Sequence, residues 1–561
     1  MKVSEIPYKR YTVEEGREAL NAFRDSASSA KCSEDVIDAR KRFIDEMYIE
    51  YSTAASLANC RFTLNTKDEF YEQEMAYYDE AGPLFEQILT EYADIMLSSP
   101  YRCELESKMN PRIFRSYEIS KLAFSEKTIA ESQEENAFVT KYSKIMSELL
   151  FDFKGDRIPL SILRGSLESE DREIRREAAV AIGHGLSTVS SELDDYYDKL
   201  VSIRTDIARK MGYADFTELG YYRMGRLDYN REMIEKFRQN VVSDIVPLVE
   251  QIKRATAEEL GIDRITFWDE AVYTSGDAPS PVLSPEEIFE EGRRMYHDMG
   301  EEIGGFMDRM LEAEAFDVLA RDGKWGGGYC TQFAKYKQPF ILANFNGTSG
   351  DIDVLTHEFG HAFAADNVFK YGETELDVGG METAECHSMS MEFFCWRYMD
   401  KFFGANAEKY RRKHLLSAIC FIPYGCMVDE FQHIVYSEPT LTPAQRKAVW
   451  LELEHKYRPY LSYEELPYLS EGTRWQYQMH IYESPFYYID YCLAQTVALG
   501  FLSRMQKDYD EALESYIALS RAGGSVAFEE LLRRADIPSP FADGALSGIA
   551  ECVTSILKSL K

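Results

Sequence analysis

The sequence predicts a mainly α-helical chain of two or more lobes with one short β-rich stretch, and three observations carry that reading. The chain has 561 residues, more than a single hydrophobic core usually organises. Helical periodicity runs almost without pause over residues 12–154 and again over 166–260, with apolar side chains recurring three and four positions apart. Over residues 316–345 the pattern changes to glycines followed by short runs rich in Tyr, Phe and Ile, which is strand and turn chemistry.

Composition narrows the function classes. Hydrophobic residues make up 45% and charged residues 28%, with 37 Tyr and 32 Phe, so the chain is globular and not disordered. Against 63 Lys and Arg stand 96 Asp and Glu, a formal net charge of -33. Such a field repels a phosphate backbone, which argues against a nucleic-acid partner. The first residues hold no apolar signal core, and the most apolar later run, 417–428, contains Pro423 and is too short to span a bilayer. A soluble cytoplasmic protein without a membrane partner is expected. Ten cysteines occur without a C-x-x-C pair, which predicts buried reduced thiols, Cys386 and Cys395 among them in an apolar helix.

Taken in order, residues 1–165 read as a helical lobe with long stretches at 39–57 and 66–97, punctuated by Pro83, Pro100 and Pro111. Phe70 with Tyr77, and Tyr71 with Tyr78, share a helix face and are expected to pack. Residues 166–260 continue as charged amphipathic helices whose acid-before-base order supports helix pairs and reads as solvated faces. Gly276 and three prolines within 274–285 interrupt regular structure, as a loop at a cleft or a domain joint. Gly326, Gly327 and Gly328 then precede strand-forming residues. Such glycines mark either a close approach of another backbone, so that an extended peptide adds as a strand near Gly328 and Tyr329, or a bulge.

Residues 348–367 read as one helix. Ile352, Leu355, Phe359 and Phe363 fall on one stripe facing the core. His357 and His361 lie one turn apart on a different face, where both imidazoles reach one ion, and Glu358 projects beside them. Thr348 with Asp351 resembles a capping box. Two histidines under-coordinate zinc, since a catalytic site generally takes three protein ligands plus water. Gly372 and the pair Gly379 and Gly380 bracket a loop, after which 381–399 resume as a helix with Glu382, Glu385, Met389, Glu392 and Trp396 on one stripe. Acids among Met and Trp are costly unless paired or metal-bound; spacing alone leaves Glu382 and Glu385 both open as the third ligand. Ala364 and Asn367 stand where a metzincin needs Gly and His, so that class is excluded. Residues 479–497 read as a loop entering a helix at Pro485, with Tyr487 and Tyr491 on one face. Phenols and an imidazole there suit either an oxyanion or an aromatic core stripe.

The residues His357-Glu358-Phe359-Gly360-His361, Glu385-x-x-Ser388-x-x-x-Glu392 and His480-(x)4-Pro485-Phe486-Tyr487-Tyr488-x-x-Tyr491 together resemble the thimet oligopeptidase and oligoendopeptidase F group of zinc metallopeptidases, with the bacterial Pz-peptidases closest in length. The resemblance is clearest over 316–505 and weaker over 63–74. It implies a two-lobed helical clamshell with a deep central channel and a small β-sheet beside the zinc-binding helix, the lobe 1–165 facing a catalytic domain 166–561. It implies one Zn(II) per chain on His357, His361 and Glu385, with Glu392 and Asp353 as candidates to orient the ligands. Glu358 would take a proton from water and return it to the leaving amine; His480, Tyr487 and Tyr491 would face the oxyanion, with Tyr488 an alternative to Tyr487. The backbone near Gly328 and Tyr329 would align an oligopeptide substrate. His387 departs from the better-known animal enzymes and either shapes the cleft or packs. The activity implied is hydrolysis of internal bonds in short peptides; an inactive peptide-binding clamshell and an exopeptidase on the same fold are the alternatives.

Overall fold

Capped amphipathic helices build the chain from its start. In the computed structural model, which describes every residue except 274, 276, 277, 322, 372, 377, 378 and 561, Thr12 caps the helix Val13–Ser29 by accepting the Glu15 N–H while the Glu15 carboxylate takes the Thr12 N–H. Gly276 and Gly372 lie outside the described residues. The helix Ser33–Phe43 passes through a π turn, Ile44–Tyr48, into Ile49–Leu64. Glu69–Leu97 follows as 29 residues with Pro83 inside it, so this proline does not punctuate the helix as the sequence suggests. A proline there forfeits one helical hydrogen bond, and the buried Tyr78, Phe85, Ile88 and Tyr92 hold the helix together across it. Pro111, by contrast, opens the helix Pro111–Ala123 behind the cap Asn110.

These helices close around one core that includes Leu20, Phe23, Phe43, Phe85, Tyr92 and Phe114. Of the aromatic pairs expected to pack, Tyr78 is buried, but Phe70 is 54% exposed and meets Tyr8 and Tyr71 edge-on, not Tyr77. A hairpin that the periodicity does not reveal follows, β1 (Leu150–Phe153) against β2 (Asp156–Pro159). Its turn residues Lys154 and Gly155 both take positive φ, which matches the twist of a two-residue hairpin. The helix Arg172–Ser187 is more than a solvated face. Arg172 and Arg175 each reach the fully buried Asp269 at 2.8 Å, because a carboxylate out of water requires paired charge.

The larger core gathers residues of the helices Met381–Phe394, Ala407–Ser437 and Tyr488–Met505. Pro423 lies within the second of these, and no helix among the described residues is long and apolar enough to cross a membrane. All ten cysteines are free. Cys386 and Cys395 are both buried, although Cys395 begins a 3-10 turn that ends the helix five residues earlier than expected. The three remaining strands, β3 (Phe316–Leu319), β4 (Tyr329–Phe333) and β5 (Gln338–Phe345), form a sheet in the order β3-β5-β4. β3 runs parallel and β4 antiparallel to the central, buried β5. The register irregularity falls between Asp317 and Leu319, not at the glycines, which leaves β4 as an unbulged edge strand. The chain is thus a two-lobed helical clamshell with a small sheet packed on the helix Gly350–Tyr371. A cavity of about 720 Å³ is lined by residues far apart in the chain, Tyr78, Arg112, Glu135, Tyr222 and Gly379 among them.

Candidate metal centre and active site

The helix Gly350–Tyr371 presents its predicted stripe to the core: Ile352, Leu355, Phe359 and Phe363 are all buried, with Phe359 stacked on Tyr296 at 3.7 Å. The start of the helix differs from expectation. Asp351 does not complete a capping box with Thr348; its carboxylate accepts the N–H groups of Asn346 and Gly347 at 2.9 and 2.8 Å, while Thr348 bonds to the Asn346 side chain. Two amides converging on one carboxylate outcompete the single bond a box would supply.

Gly360 explains how the second ligand-bearing helix comes close. A Cβ at this position would stand 2.6 Å from the His387 carbonyl oxygen and 2.7 Å from the Ser388 Cα. With only hydrogen there, Met381–Phe394 packs directly against the motif helix. Glu385 Oε2 thereby lies 3.3 Å from His357 Nε2 and 3.5 Å from His361 Nε2, and the three donor atoms fall within 4.8 Å of one another. Three donors each roughly 2.1 Å from one tetrahedral ion stand about 3.4 Å apart, and His, His and carboxylate form a known catalytic zinc set. The residues fit the ion. Glu382, the other acid left open by spacing, turns away to Tyr229 and Thr383, with contacts of 3.3 and 3.2 Å.

Glu392 supports this arrangement from behind. Its carboxylate bridges His357 Nδ1 and His414 Nε2, each at 2.6 Å. The Trp396 indole N–H, which can only donate, bonds to His414 Nδ1 at 3.1 Å. His414 therefore donates from Nε2, and Glu392 accepts there and from His357 Nδ1–H, which leaves the His357 Nε2 lone pair facing Glu385. Burial would raise the Glu392 carboxyl, but the hydrogen bonds from His357 and His414 pull it down to about 2. For His357, burial disfavours charge and the carboxylates of Glu385 and Glu392 outweigh it. Carboxylates that attract a proton to these imidazoles attract a cation equally. Asp353 is not a direct partner of His357. It accepts from the Tyr410 hydroxyl, and Tyr410 stacks on His414 with ring centroids 5.8 Å apart.

Glu358 is buried, and burial raises its carboxyl above the ordinary value, with His357 and His361 opposing the rise. It lines one cavity of about 440 Å³ together with His357, His361, Glu385, Tyr487 and Tyr491. Gly328 and Tyr329 line the same space at the head of β4. The late segment is a short helix, Met479–Glu483, then a break, then the helix Tyr488–Met505; Pro485 sits in the break and does not open the helix. Tyr487 donates its hydroxyl to Glu385 Oε1 at 2.9 Å, and its ring lies 4.8 Å from that of Tyr491. Tyr488 points instead to Phe421 and Tyr424, so the geometry brings Tyr487 to the cavity. His480 rests against the rings of Tyr487, Tyr488 and Tyr491 and does not itself line the cavity. Its Nδ1 meets the Gln478 amide at 3.0 Å, and burial lowers its pKa to about 4, so the ring is neutral near pH 7. His387 packs: it is fully buried with neither ring nitrogen bonded.

Sequence reading misses the groups that join this site across long chain separations. His414, from the helix Ala407–Ser437, fixes Glu392 and is itself held by Trp396 of the Glu392 stripe. On the far side, Thr63 at the end of the helix Ile49–Leu64 accepts the Trp325 N–H at 2.8 Å through its carbonyl and meets the Tyr329 hydroxyl through its own. Thr66 N–H reaches the Gly323 carbonyl at 2.6 Å. The first lobe thus holds the glycine turn that precedes β4. The weak resemblance over 63–74 is the only signal in the sequence that touches this contact.

The chain is similar to known peptidases along nearly its whole length. A family model described as Peptidase family M3 matches residues 166–551, and one described as Peptidase M3 N-terminal domain matches residues 3–124. Oligopeptidase PepF of Bacillus subtilis (strain 168) is 24% identical over 389 residues, 67% of this chain and 56% of the relative; the match spans just over half of that relative. Among solved structures, Pz peptidase A with an inhibitor superposes with a TM-score of 0.95 at 40% identity over 100% of both chains. A structure provisionally named oligoendopeptidase F, from Bacillus anthracis str. Ames, gives 0.90 at 36% identity over 100% of this chain and 99% of its own. The matched family model covers most of the chain and includes every residue of the His, His and Glu cluster: this protein belongs to peptidase family M3.

Proposed function

We propose that this chain is a zinc-dependent endopeptidase that hydrolyses internal bonds of short, unstructured oligopeptides, with residues 166–561 carrying the chemistry and 1–165 forming the opposite wall. The observation that carries this reading is the convergence of His357 Nε2, His361 Nε2 and Glu385 Oε2 in a cavity that also holds the buried Glu358. His357, His361 and Glu385 hold one Zn(II) per chain, and Glu392 orients His357 for it. When bound, the ion supplies Lewis acidity to the scissile carbonyl and to the attacking water.

Glu358 moves the protons. Its raised pKa brings a carboxylate closer to the water whose proton it takes, and it returns that proton to the leaving amine. Tyr487 and Tyr491 remain protonated because burial raises both phenols, so each keeps an O–H to donate to the developing oxyanion. His480, neutral with its proton on Nε2, acts from behind by buttressing the Tyr487 and Tyr491 rings. β4 lies at the edge of its sheet and residues 328–332 line the catalytic cavity, a placement that suits an extended peptide aligned along this strand, with no side chain on Gly328 to obstruct it. A substrate threaded between two lobes excludes folded proteins, and the net charge of -33 favours association with neutral or basic peptides, less so in salt. The free thiols support a cytoplasmic setting.

Internally quenched peptides with blocked ends test this directly. Cleavage that a chelator abolishes and added zinc restores is expected, at an internal bond. No cleavage of blocked peptides alongside release of single residues from free ones would replace the endopeptidase with an exopeptidase. Efficient digestion of a stable folded protein would remove the size gate.

A further inference from the structure

Phe486 is held in a backbone conformation that its side chain opposes. Its φ is +69°, a left-handed value that a bulky residue adopts only at a cost, and its neighbour is Tyr487, whose hydroxyl meets Glu385. Three contacts impose that turn, from the helix Ala407–Ser437, the helix Phe216–Arg223 and the loop that follows the latter. The Phe486 N–H donates to Gln432 Oε1 at 3.0 Å, and Gln432 is itself fully buried on Ala407–Ser437 with its amide N–H on the Val428 carbonyl. The Phe486 carbonyl accepts from Arg226, which pairs with Asp490 at 3.0 Å on the helix that Tyr487 opens. The Phe486 ring, fully buried, seats on Gly220, where a Cβ would stand 2.6 Å away.

The turn buries the Phe486 ring against Phe216, Tyr221, His433 and Tyr436, but burial of one ring does not by itself require a left-handed backbone at this residue. What the turn fixes is the direction in which the next residue leaves. We infer that Gln432, Arg226 and the Gly220 seat are positioning residues that force Phe486 into its left-handed turn and thereby aim the Tyr487 hydroxyl into the catalytic cavity. Relaxation of Phe486 to an ordinary negative φ swings residue 487 away from Glu385. Strain is stored one residue from the reacting groups and is held by buried hydrogen bonds elsewhere. The inference rests on the proposed role of Tyr487, and the test separates the two.

Arg226→Met leaves the buried Asp490 charge unpaired and risks the fold, so the informative variant is Gln432→Met, which keeps volume and deletes the acceptor. It is expected to lower kcat about tenfold with KM within about twofold, and to shift or broaden the 19F resonance of 3-fluorotyrosine placed at 487. Gly220→Ala, which displaces the Phe486 ring, is expected to act in the same direction. In a Tyr487→Phe background, Gln432→Met is expected to cost no further kcat, because the group it aims is gone. An equal tenfold loss in that background, or an unchanged resonance in both variants, overturns the inference. Full activity of Tyr487→Phe alone sinks the oxyanion role instead, and the resonance then decides the positioning by itself.

Discussion

Glu382 and Glu385 lie one helical turn apart on the same buried stripe, and Glu382→Gln tells their roles apart by a signature that a metal ligand cannot show. Burial, and next the neighbouring Asp490 carboxylate, raise the Glu382 carboxyl from 4.5 to about 7. Between those values the folded chain keeps a proton that the unfolded chain releases. Stability from this group is therefore fully present below the unfolded value and falls as pH rises through the window. At about 1.4 kcal/mol per unit, the cost reaches about 3 kcal/mol by pH 8, shared with Asp490 because the two titrate as a pair. Glutamine carries no charge at any pH and removes the slope. Urea midpoints of both proteins at pH 5 and pH 8, at equal metal loading, are expected to show a small difference at the lower pH and a gain of about 3 kcal/mol for the variant at the higher. Metal content is expected to be unchanged, whereas Glu385→Gln loses it. A stability difference that does not change with pH, or loss of metal from Glu382→Gln, refutes the reasoning.

Three further substitutions probe the site. Glu358→Gln is expected to retain full metal content, measured by elemental analysis, while kcat falls at least about 100-fold; substantial turnover would remove Glu358 from proton transfer. Glu392→Gln weakens the pull on both histidines and is expected to lower metal affinity about 10- to 100-fold in chelator competition. Gly360→Ala drives a methyl group into the His387 carbonyl and is expected to cost about 1–3 kcal/mol in thermal unfolding, with metal affinity falling in parallel because it spreads the two ligand helices.

The parts of this site that were legible in the sequence are those whose geometry is local. His357 and His361 meet because a helix places i and i+4 together, and the buried stripe of Ile352, Leu355, Phe359 and Phe363 follows from the same period. Whether Glu382 or Glu385 reaches them depends on how two helices cross, which periodicity does not encode; Gly360, the one residue that sets their separation, is inside the motif but announces nothing by itself. The hairpin at 150–159 escapes because its strands are four residues each and its turn lacks an Asn-Gly or Asp-Gly pair. Arg175 reads as one more solvated cation until Asp269, 94 positions away, is seen beside it. Pro83 shows the opposite error: a strong local signal overruled by tertiary packing.

The two lobes are also joined at the site in a way that constrains how the channel can open. Glu375 lies between the motif helix and the helix that carries Glu385, yet its carboxylate is buried in the first lobe, where Arg40, Tyr92 and Tyr117 all bond to it. Leu376 belongs to that lobe's core. Withdrawing such a charge from its partners costs several kcal/mol, and Thr63 holds the turn before β4 from the same lobe. The helical wall at residues 40–117 is therefore tied by buried contacts to the loop between the metal-binding helices and to the substrate edge. Any widening that admits a peptide has to come from contacts weaker than these. Arg112, which lines the cavity of about 720 Å³, adds a further tie: it pairs bidentately with Asp228 at 2.6 and 2.8 Å and donates to the Gly524 carbonyl at 2.9 Å, so widening on this side also has to break a largely buried charge pair.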